Sequence, residues 1–88
     1  MKINIFGSTG IIGNKSLNLI DKYFPNIKIN LLCANNNVTK LINQSHKYAP
    51  KYVYLHNKSK HILLKSKINP KPKILNSKEI EDHLLNTK

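Results

Sequence analysis

The feature that most restricts the fold of this chain is a turn punctuated by glycine near its start. Residues 2–6 (KINIF) alternate apolar and polar side chains, as a strand does, and Gly7–Gly13 (GSTGIIG) follow directly. Residues 11–23 then carry apolar side chains at mixed helical spacing, and Pro25 comes shortly after them. The sequence therefore predicts a strand, a tight turn and a helix in immediate succession.

The same alternation of strand and helix patterns continues along the chain. The further predicted strands cover Ile27–Ala34, Tyr52–Leu55 and Lys73–Leu75. The further predicted helices cover Val38–Ala49, residues 58–68 and Lys78–Asn86, with Asn37, Asn57 and Ser77 as their N-caps. Short connections between alternating strands and helices predict a parallel sheet flanked by helices, with right-handed crossovers.

Two details of the later helices are also expected. In the third helix, Ile62, Leu63 and Leu64 are expected to face the core. In the last helix, Glu79 and Glu81 are expected in the first turn, where a negative charge stabilises the helix.

The glycine turn has the composition of a nucleotide-phosphate loop. Gly7 permits the tight turn, Gly10 lets a pyrophosphate approach the backbone, and Gly13 lets the helix pack closely. The helix start offers unpaired N–H groups to phosphates, and Ser8 and Thr9 add hydroxyl donors. The alternative is a turn that needs glycine for its shape alone. The absence of G-x-x-x-x-G-K-[ST] disfavours a P-loop kinase or GTPase.

The end of the second predicted strand bears on which dinucleotide would bind. Sites selective for NAD usually place Asp or Glu there, to hold the ribose hydroxyls. Here Cys33 and Ala34 are followed by Asn35, Asn36 and Asn37, with no acid. The absence of an acid leaves room for the 2′-phosphate of NADP. The three amides, with Lys40, could bind this phosphate. The alternative is a polar turn with an Asn helix cap.

The other reactive side chains show no catalytic pattern. His46, His56, His61 and His83 show no metal-ligand spacing, and with the acidic residues they form no credible acid–base pair. Cys33 lies in a buried-strand pattern and is expected to be a core thiol. As the single cysteine it forms no intrachain disulfide, which fits a cytoplasmic setting. No apolar run approaches about 18 residues, and no signal peptide is expected.

The chain carries 15 lysines, no arginine and 4 acidic residues, for a formal net charge of +11. Such a charge can serve nucleic acid or an anionic membrane. The lysines are nevertheless dispersed from Lys2 to Lys88, and the arginine that suits phosphate recognition is missing. A solvated basic surface is therefore favoured over nucleic-acid or membrane binding, and a small polyanion-binding protein remains the alternative function.

Two long stretches resemble a known family. INIFGSTGIIGNKSLNLID and INLLCANNNVTKLINQSHKYAPKYVYL are similar to the N-terminal part of 1-deoxy-D-xylulose 5-phosphate reductoisomerases, and the similarity continues through Ile74–Ser77. The glycine loop alone is moderately specific, whereas its combination with Asn37–Thr39 and Tyr48–Tyr52 is much more so. The resemblance implies an α/β fold, a truncated Rossmann-like parallel sheet flanked by helices, with about four strands and four helices.

The resemblance also implies an activity and a set of contacts. The family rearranges 1-deoxy-D-xylulose 5-phosphate and reduces it with NADPH, in the non-mevalonate isoprenoid pathway, using Mg²⁺ or Mn²⁺. Its cofactor contacts fall here on Thr9, Gly10, Ile11 and Ile12, and on Asn35–Asn37. The family often has Ser at the position of Ile11 and Lys at the position of Asn36, so this chain lacks one hydroxyl and one cation.

The family is several times longer than this chain, so a division into domains is expected. Residues 1–88 would be a partial NADPH-binding domain, and the catalytic and C-terminal domains, with the metal site, would be absent. The chain alone is then expected to be inactive: a fragment, or one piece whose missing remainder is a separate partner chain. A non-catalytic remnant without a ligand is the other alternative.

Overall fold

Strands and helices alternate along the chain in this computed structural model, which describes residues 2–68 and 72–86. The strands are β1 (Lys2–Phe6), β2 (Lys28–Ala34), β3 (Tyr52–Leu55) and β4 (Lys73–Ile74). The helices are α1 (Ile11–Tyr23), α2 (Val38–Tyr48), α3 (His61–Lys67) and α4 (Ser77–Asn86), with a 3₁₀ turn at Lys58–Lys60 before α3. The predicted order of elements is confirmed.

All pairings in the sheet are parallel, and the strands lie in the order β1-β2-β3-β4. Phe6 pairs with Cys33, and Ala34 pairs with Leu55, so the carboxyl ends of β1, β2 and β3 meet along one edge. Between Ile3 and Asn4 the register shifts by one residue of β2, which leaves Asn30 as a bulge. The predicted parallel α/β sheet is therefore confirmed.

The two faces of the sheet are covered unequally. The larger core cluster joins α1, α2 and α3 to one face of β2 and β3, and it includes Leu17, Ile29, Leu32, Ala34, Val38, Leu41, Ile42, Val53, Leu55 and Leu64. The smaller cluster on the other face consists of Leu31, Cys33, Leu75 and Ile80, with Tyr52 and Tyr54 packed against it. Because β2 contributes to both clusters, it is buried on both faces, as its continuous apolar run indicates.

The prediction that three adjacent residues of α3 face the core was wrong. Leu64 is fully buried, but Ile62 is 84% exposed and Leu63 is 44% exposed. Consecutive residues of an α-helix point about 100° apart, because one turn contains about 3.6 residues. Three consecutive side chains of a helix therefore cannot all face the sheet, and in α3 only Leu64 does.

The start of α4 differs from the predicted cap at Ser77. The Asn76 side chain accepts from the Glu79 N–H at 2.8 Å, and the Glu79 carboxylate accepts from the Asn76 N–H at 3.0 Å. This reciprocal pair is a capping box, so the cap lies one residue earlier than expected. Glu79 is in the first turn, as predicted, whereas Glu81 lies beyond it. The second carboxylate oxygen of Glu79 pairs with Lys73 at 2.8 Å.

Acid should weaken the attachment of α4. The hydrogen bond from Lys73, followed by that from the Asn76 N–H, holds the pKa of Glu79 below its ordinary value of 4.5. A carboxyl whose pKa is lower in the folded state stabilises the fold above its unfolded pKa, and this contribution disappears as the pH falls through the folded value. We expect Glu79→Gln to lower the melting temperature at pH 7 and to converge with the wild type in acid.

Thermal melts followed by circular dichroism between neutral and acidic pH measure this effect. Glu81→Gln is the matched control, since it removes the same charge from the same helix without touching the capping box. A Glu79→Gln protein that melts in parallel with Glu81→Gln at every pH would contradict the assigned role.

Candidate dinucleotide-binding site

The turn that follows β1 is shaped by its own backbone. Gly7 has φ of +65°, a left-handed conformation that only glycine adopts without strain. The Gly10 N–H donates to the Gly7 carbonyl at 3.0 Å and closes the turn. The Ser8 N–H donates to the Cys33 carbonyl at 2.9 Å, so the turn is also fastened to the carboxyl end of β2.

The helix α1 starts without a side-chain cap. Gly10 occupies the N-cap position and no side chain accepts from the first turn, which also contains no acidic residue. Across the described part of the chain, no carbonyl or side chain accepts from the backbone N–H groups of Thr9, Ile11 or Ile12. Ile11 and Ile12 are 76% and 78% exposed, so the positive end of this helix faces outward.

The third glycine is required by close packing. A Cβ on Gly13 would lie 2.1 Å from the Gly7 carbonyl oxygen and 2.8 Å from the Ser8 Cα. Gly13 is buried, and α1 therefore rests directly on the turn. Gly10 is different, because a Cβ there would lie 3.3 Å from the Gly7 oxygen and would meet no other group within 4 Å. No side chain fills the space above Gly10, so a ligand can approach its backbone.

Ser8 is placed differently from the other loop residues. Its side chain is completely buried and its hydroxyl has no hydrogen-bond partner among the described residues. The Ser8 carbonyl accepts from the side-chain amide of Gln44 at 2.7 Å, and the same amide lies 3.3 Å from the Asn14 side-chain oxygen. The expectation that the Ser8 hydroxyl donates to a phosphate is therefore corrected, because this side chain is fully buried. Ser8 instead stabilises the loop through its carbonyl, which accepts from Gln44.

Gln44 has a positioning role that the sequence pattern did not reveal. It is a buried polar residue of α2 and reaches the β1–α1 turn across the core. The available signal was its place on the helix, three residues after Leu41, where an apolar residue would be expected on the inward face.

The Asn35–Asn37 corner follows β2 and is exposed, at the same edge of the sheet as the glycine turn. The Asn37 side chain accepts from the Lys40 N–H at 3.1 Å, so the predicted cap of α2 is confirmed. The Val38 N–H donates to the Asn36 carbonyl at 2.9 Å and tightens the bend. The structure thus brings the two predicted groups of site residues to neighbouring strand ends.

Two residues that the sequence analysis did not assign to this site also contact the corner: Lys60, and Asn57, which was expected only as a helix N-cap. The Asn57 N–H donates to the Asn35 carbonyl, and the Asn57 side chain donates to the Asn36 side-chain oxygen, both at 2.9 Å. The Lys60 ammonium donates to the Asn36 carbonyl at 3.3 Å. Both residues follow β3, and the parallel pairing of β2 with β3 was the signal that could have placed them here.

Two hollows of the surface lie at opposite edges of the sheet, and one of them adjoins predicted site residues. A small one, of about 320 Å³, lies against the corner and is lined by Asn36, Asn37, Val38, Thr39, Lys60 and Leu63. A larger groove, of about 720 Å³, lies at the opposite edge, near the start of β1, β2 and β3, and contains none of the predicted site residues. In open parallel sheets ligands bind at the carboxyl ends of the strands, which favours the smaller hollow.

The remaining reactive groups add no catalytic site to the described residues. Burial raises the pKa of the Cys33 thiol to about 12, so this sulfur stays protonated and is a poor nucleophile. Within residues 2–68 and 72–86, no three His, Cys, Asp or Glu side chains are grouped so as to hold a metal ion. In the same residues no helix combines the length and the apolar character that spanning a bilayer requires.

A parallel sheet flanked by helices, whose first strand runs through a glycine turn into a helix, places the chain in the class of Rossmann-like folds. Comparison with known proteins specifies the family. The sequence profile of 1-deoxy-D-xylulose 5-phosphate reductoisomerase matches residues 3–87. The chain therefore belongs to the 1-deoxy-D-xylulose 5-phosphate reductoisomerase family.

Individual relatives agree with this assignment. The chain is 44% identical over 57 residues to the 1-deoxy-D-xylulose 5-phosphate reductoisomerase of Sulfurihydrogenibium sp. (strain YO3AOP1), an alignment covering 65% of this chain and 15% of that protein. It is 42% identical over 65 residues to the enzyme of Wigglesworthia glossinidia brevipalpis, covering 73% and 16%. The chain thus spans less than one fifth of these curated relatives.

A solved structure supports the fold. The chain superposes with a TM-score of 0.80 on a crystal structure of DOX-P reductoisomerase in complex with NADPH, fosmidomycin and magnesium. The match covers 89% of this chain and 20% of that one, at 22% sequence identity. The predicted Rossmann-like arrangement is confirmed by this likeness.

Adding a methyl group at Gly13 should destabilise the fold far more than adding one at Gly10. Gly13→Ala places a carbon against the Gly7 carbonyl, and we expect a loss of about 2–3 kcal/mol in the free energy of unfolding. Gly10→Ala meets one atom at 3.3 Å and should lose about 1 kcal/mol or less. Urea unfolding of the two variants measures the difference, and equal losses would refute the close approach of α1 to the turn.

Replacing Gln44 should loosen the glycine turn. Gln44→Leu leaves the Ser8 carbonyl without its donor, which costs about 1–3 kcal/mol, although the variant also removes the unpaired Gln44 carbonyl. We expect a net loss of about 1 kcal/mol and faster hydrogen exchange of the Gly10 N–H. Asn43→Leu, an exposed neighbour, is the control. Unchanged exchange at Gly10 in Gln44→Leu would show that Gln44 does not hold the turn.

Proposed function

We propose that residues 1–88 form the first part of the NADPH-binding domain of a 1-deoxy-D-xylulose 5-phosphate reductoisomerase. The observation that carries this proposal is the uncapped start of α1. Directly after β1, the N–H groups of Thr9, Ile11 and Ile12 have no acceptor in the described chain, and no acidic residue neutralises them. Such a helix start favours the pyrophosphate of a dinucleotide. The solved relative holds NADPH, which supports the choice of ligand.

The glycines fit this role. The backbone at Gly10 is exposed and no side chain covers it, so a phosphate oxygen can come close. Gly7 and Gly13 keep the turn compact beneath it. On this proposal the pyrophosphate lies against residues 9–12, while Gly7, Ser8 and Gly13 maintain the shape of the loop.

The adenosine half of the cofactor would lie over the Asn35–Asn37 corner. This corner is exposed, adjoins the turn, and has no carboxylate among the residues that line its hollow. A carboxylate at the end of the second strand would select the free ribose hydroxyls of NADH and repel a 2′-phosphate. Its absence supports NADPH as the cofactor.

The whole enzyme would rearrange 1-deoxy-D-xylulose 5-phosphate and reduce the product with NADPH to 2-C-methyl-D-erythritol 4-phosphate, a step of isoprenoid biosynthesis. The described residues do not fit the divalent metal of that reaction, since they contain no group of three ligating side chains. We assign metal binding and catalysis to the larger part of the enzyme, and cofactor binding to this part. The 88-residue chain alone should not oxidise NADPH when given the sugar phosphate.

A carboxylate introduced at the start of α1 should abolish ligand binding without lowering the stability of the fold. Ile12 is exposed in the first turn, so Ile12→Asp adds a charge that stabilises the helix and repels a pyrophosphate. At about 100 times its Kd, NADPH should stabilise the wild type by about 2.7 kcal/mol and raise its melting temperature by roughly 10 °C or more. We expect Ile12→Asp to melt no lower than the wild type without ligand and to lose this shift.

Leu19→Asp is the matched control, because it places the same charge on an exposed position of α1 away from the turn. It should keep the shift produced by NADPH. Absence of any shift in the wild type, or equal shifts in the wild type and Ile12→Asp, would reject the pyrophosphate site.

A further inference from the structure

We infer that Lys60 determines the preference of this protein for NADPH over NADH, by supplying the cation that meets the adenosine 2′-phosphate at the Asn35–Asn37 corner. This inference rests on the proposed function, since it concerns the cofactor assigned to that site. NADPH and NADH differ only in the 2′-phosphate, so a group that contacts it acts directly on the preference.

Lys60 lies directly beside the Asn35–Asn37 corner. Its ammonium donates to the Asn36 carbonyl at 3.3 Å, and its side chain lines the small hollow beside the corner. Lys40, which the sequence suggested for this role, does not line that hollow. Its backbone N–H instead completes the cap of α2. Among the residues that line the hollow, the cation is therefore Lys60, which lies in the segment after β3.

The segment that carries Lys60 is fastened to the corner through Asn57. The Asn57 side-chain oxygen accepts from the Ser59 N–H at 3.0 Å and from the Ser59 hydroxyl at 2.6 Å. The Lys60 N–H donates to the Asn57 carbonyl at 3.2 Å. Since Asn57 also holds Asn35 and Asn36, one residue fixes the corner and the 3₁₀ turn relative to each other. A preorganised cation binds its anion at a smaller cost in conformational entropy.

The hollow beside Lys60 is lined by no negatively charged residue. The partner of the Lys60 ammonium, the Asn36 carbonyl, is neutral as well. Lys73, by contrast, is already paired with Glu79 at 2.8 Å. An ammonium has three donors, so Lys60 can keep its contact with Asn36 and donate to a phosphate as well. The Asn36 side-chain oxygen accepts from Asn57, which leaves the Asn36 amino group as a further donor.

The test compares the affinities of three variants of the 88-residue chain for NADPH and NADH by calorimetric titration. Lys60→Gln should weaken NADPH binding about tenfold, as the loss of one charge-assisted hydrogen bond predicts, with little change for NADH. Lys60→Arg should retain the preference. Lys58→Gln is the matched control, because it removes one positive charge from the same 3₁₀ turn. It should bind both cofactors as the wild type does.

The possible outcomes distinguish the role of Lys60 from the proposed binding of NADPH, on which it rests. A Lys60→Gln chain that prefers NADPH as strongly as Lys58→Gln does would overturn the role of Lys60 and leave the NADPH site intact. An equal loss of affinity for NADPH and NADH would also overturn it, because Lys60 would then act on a part common to both. A wild-type chain that binds neither cofactor would overturn the proposed function together with the inference.

Discussion

The close approach of α1 to the turn beneath it determines the geometry of the whole site. Gly13 lies so near the Gly7 carbonyl that even one methyl group would collide with it. The helix can therefore start immediately beyond β1, with its first N–H groups at the carboxyl edge of the sheet. A longer or bulkier connection would move this positive helix end away from the neighbouring strands. Gln44 stabilises the same arrangement by holding the Ser8 carbonyl from inside.

Parallel pairing extends this geometry across three strands. The pairing of Phe6 with Cys33 places the corner beside the turn, and the pairing of Ala34 with Leu55 places Asn57 beside the corner. Hydrogen bonds between backbone and side-chain amides then connect these strand ends without any buried charge. The site is consequently a polar edge above an apolar core, and Lys60, whose ammonium contacts the Asn36 carbonyl, stays exposed.

The sequence predicted those features that depend on neighbouring residues. The bounds of β1 and α1, the glycine requirement at Gly7 and the Asn37 cap all follow from local pattern. The exposure of Ile62 also follows from the helical period and could have been predicted from the sequence. The burial of Ser8, by contrast, depends on which element packs against it, which no local pattern encodes. Lys60 is the sharpest case. Because Asn36 stands where the family often has Lys, the sequence suggested that a cation was missing. In the structure the ammonium of Lys60, 24 positions further along the chain, contacts Asn36 because β2 and β3 are paired.

The two faces and the outer edge of the sheet are covered unequally. Three helices cover one face, whereas Phe6, on the outermost strand of the described sheet, remains 54% exposed. On the proposed assignment, the adenosine and pyrophosphate contacts come entirely from residues after β1, β2 and β3. On the same proposal, the groups that act on the sugar phosphate would come from the larger part of the enzyme. On this proposal, cofactor preference would be encoded apart from catalysis, because the residues that contact the 2′-phosphate would not be those that contact the reacting atoms.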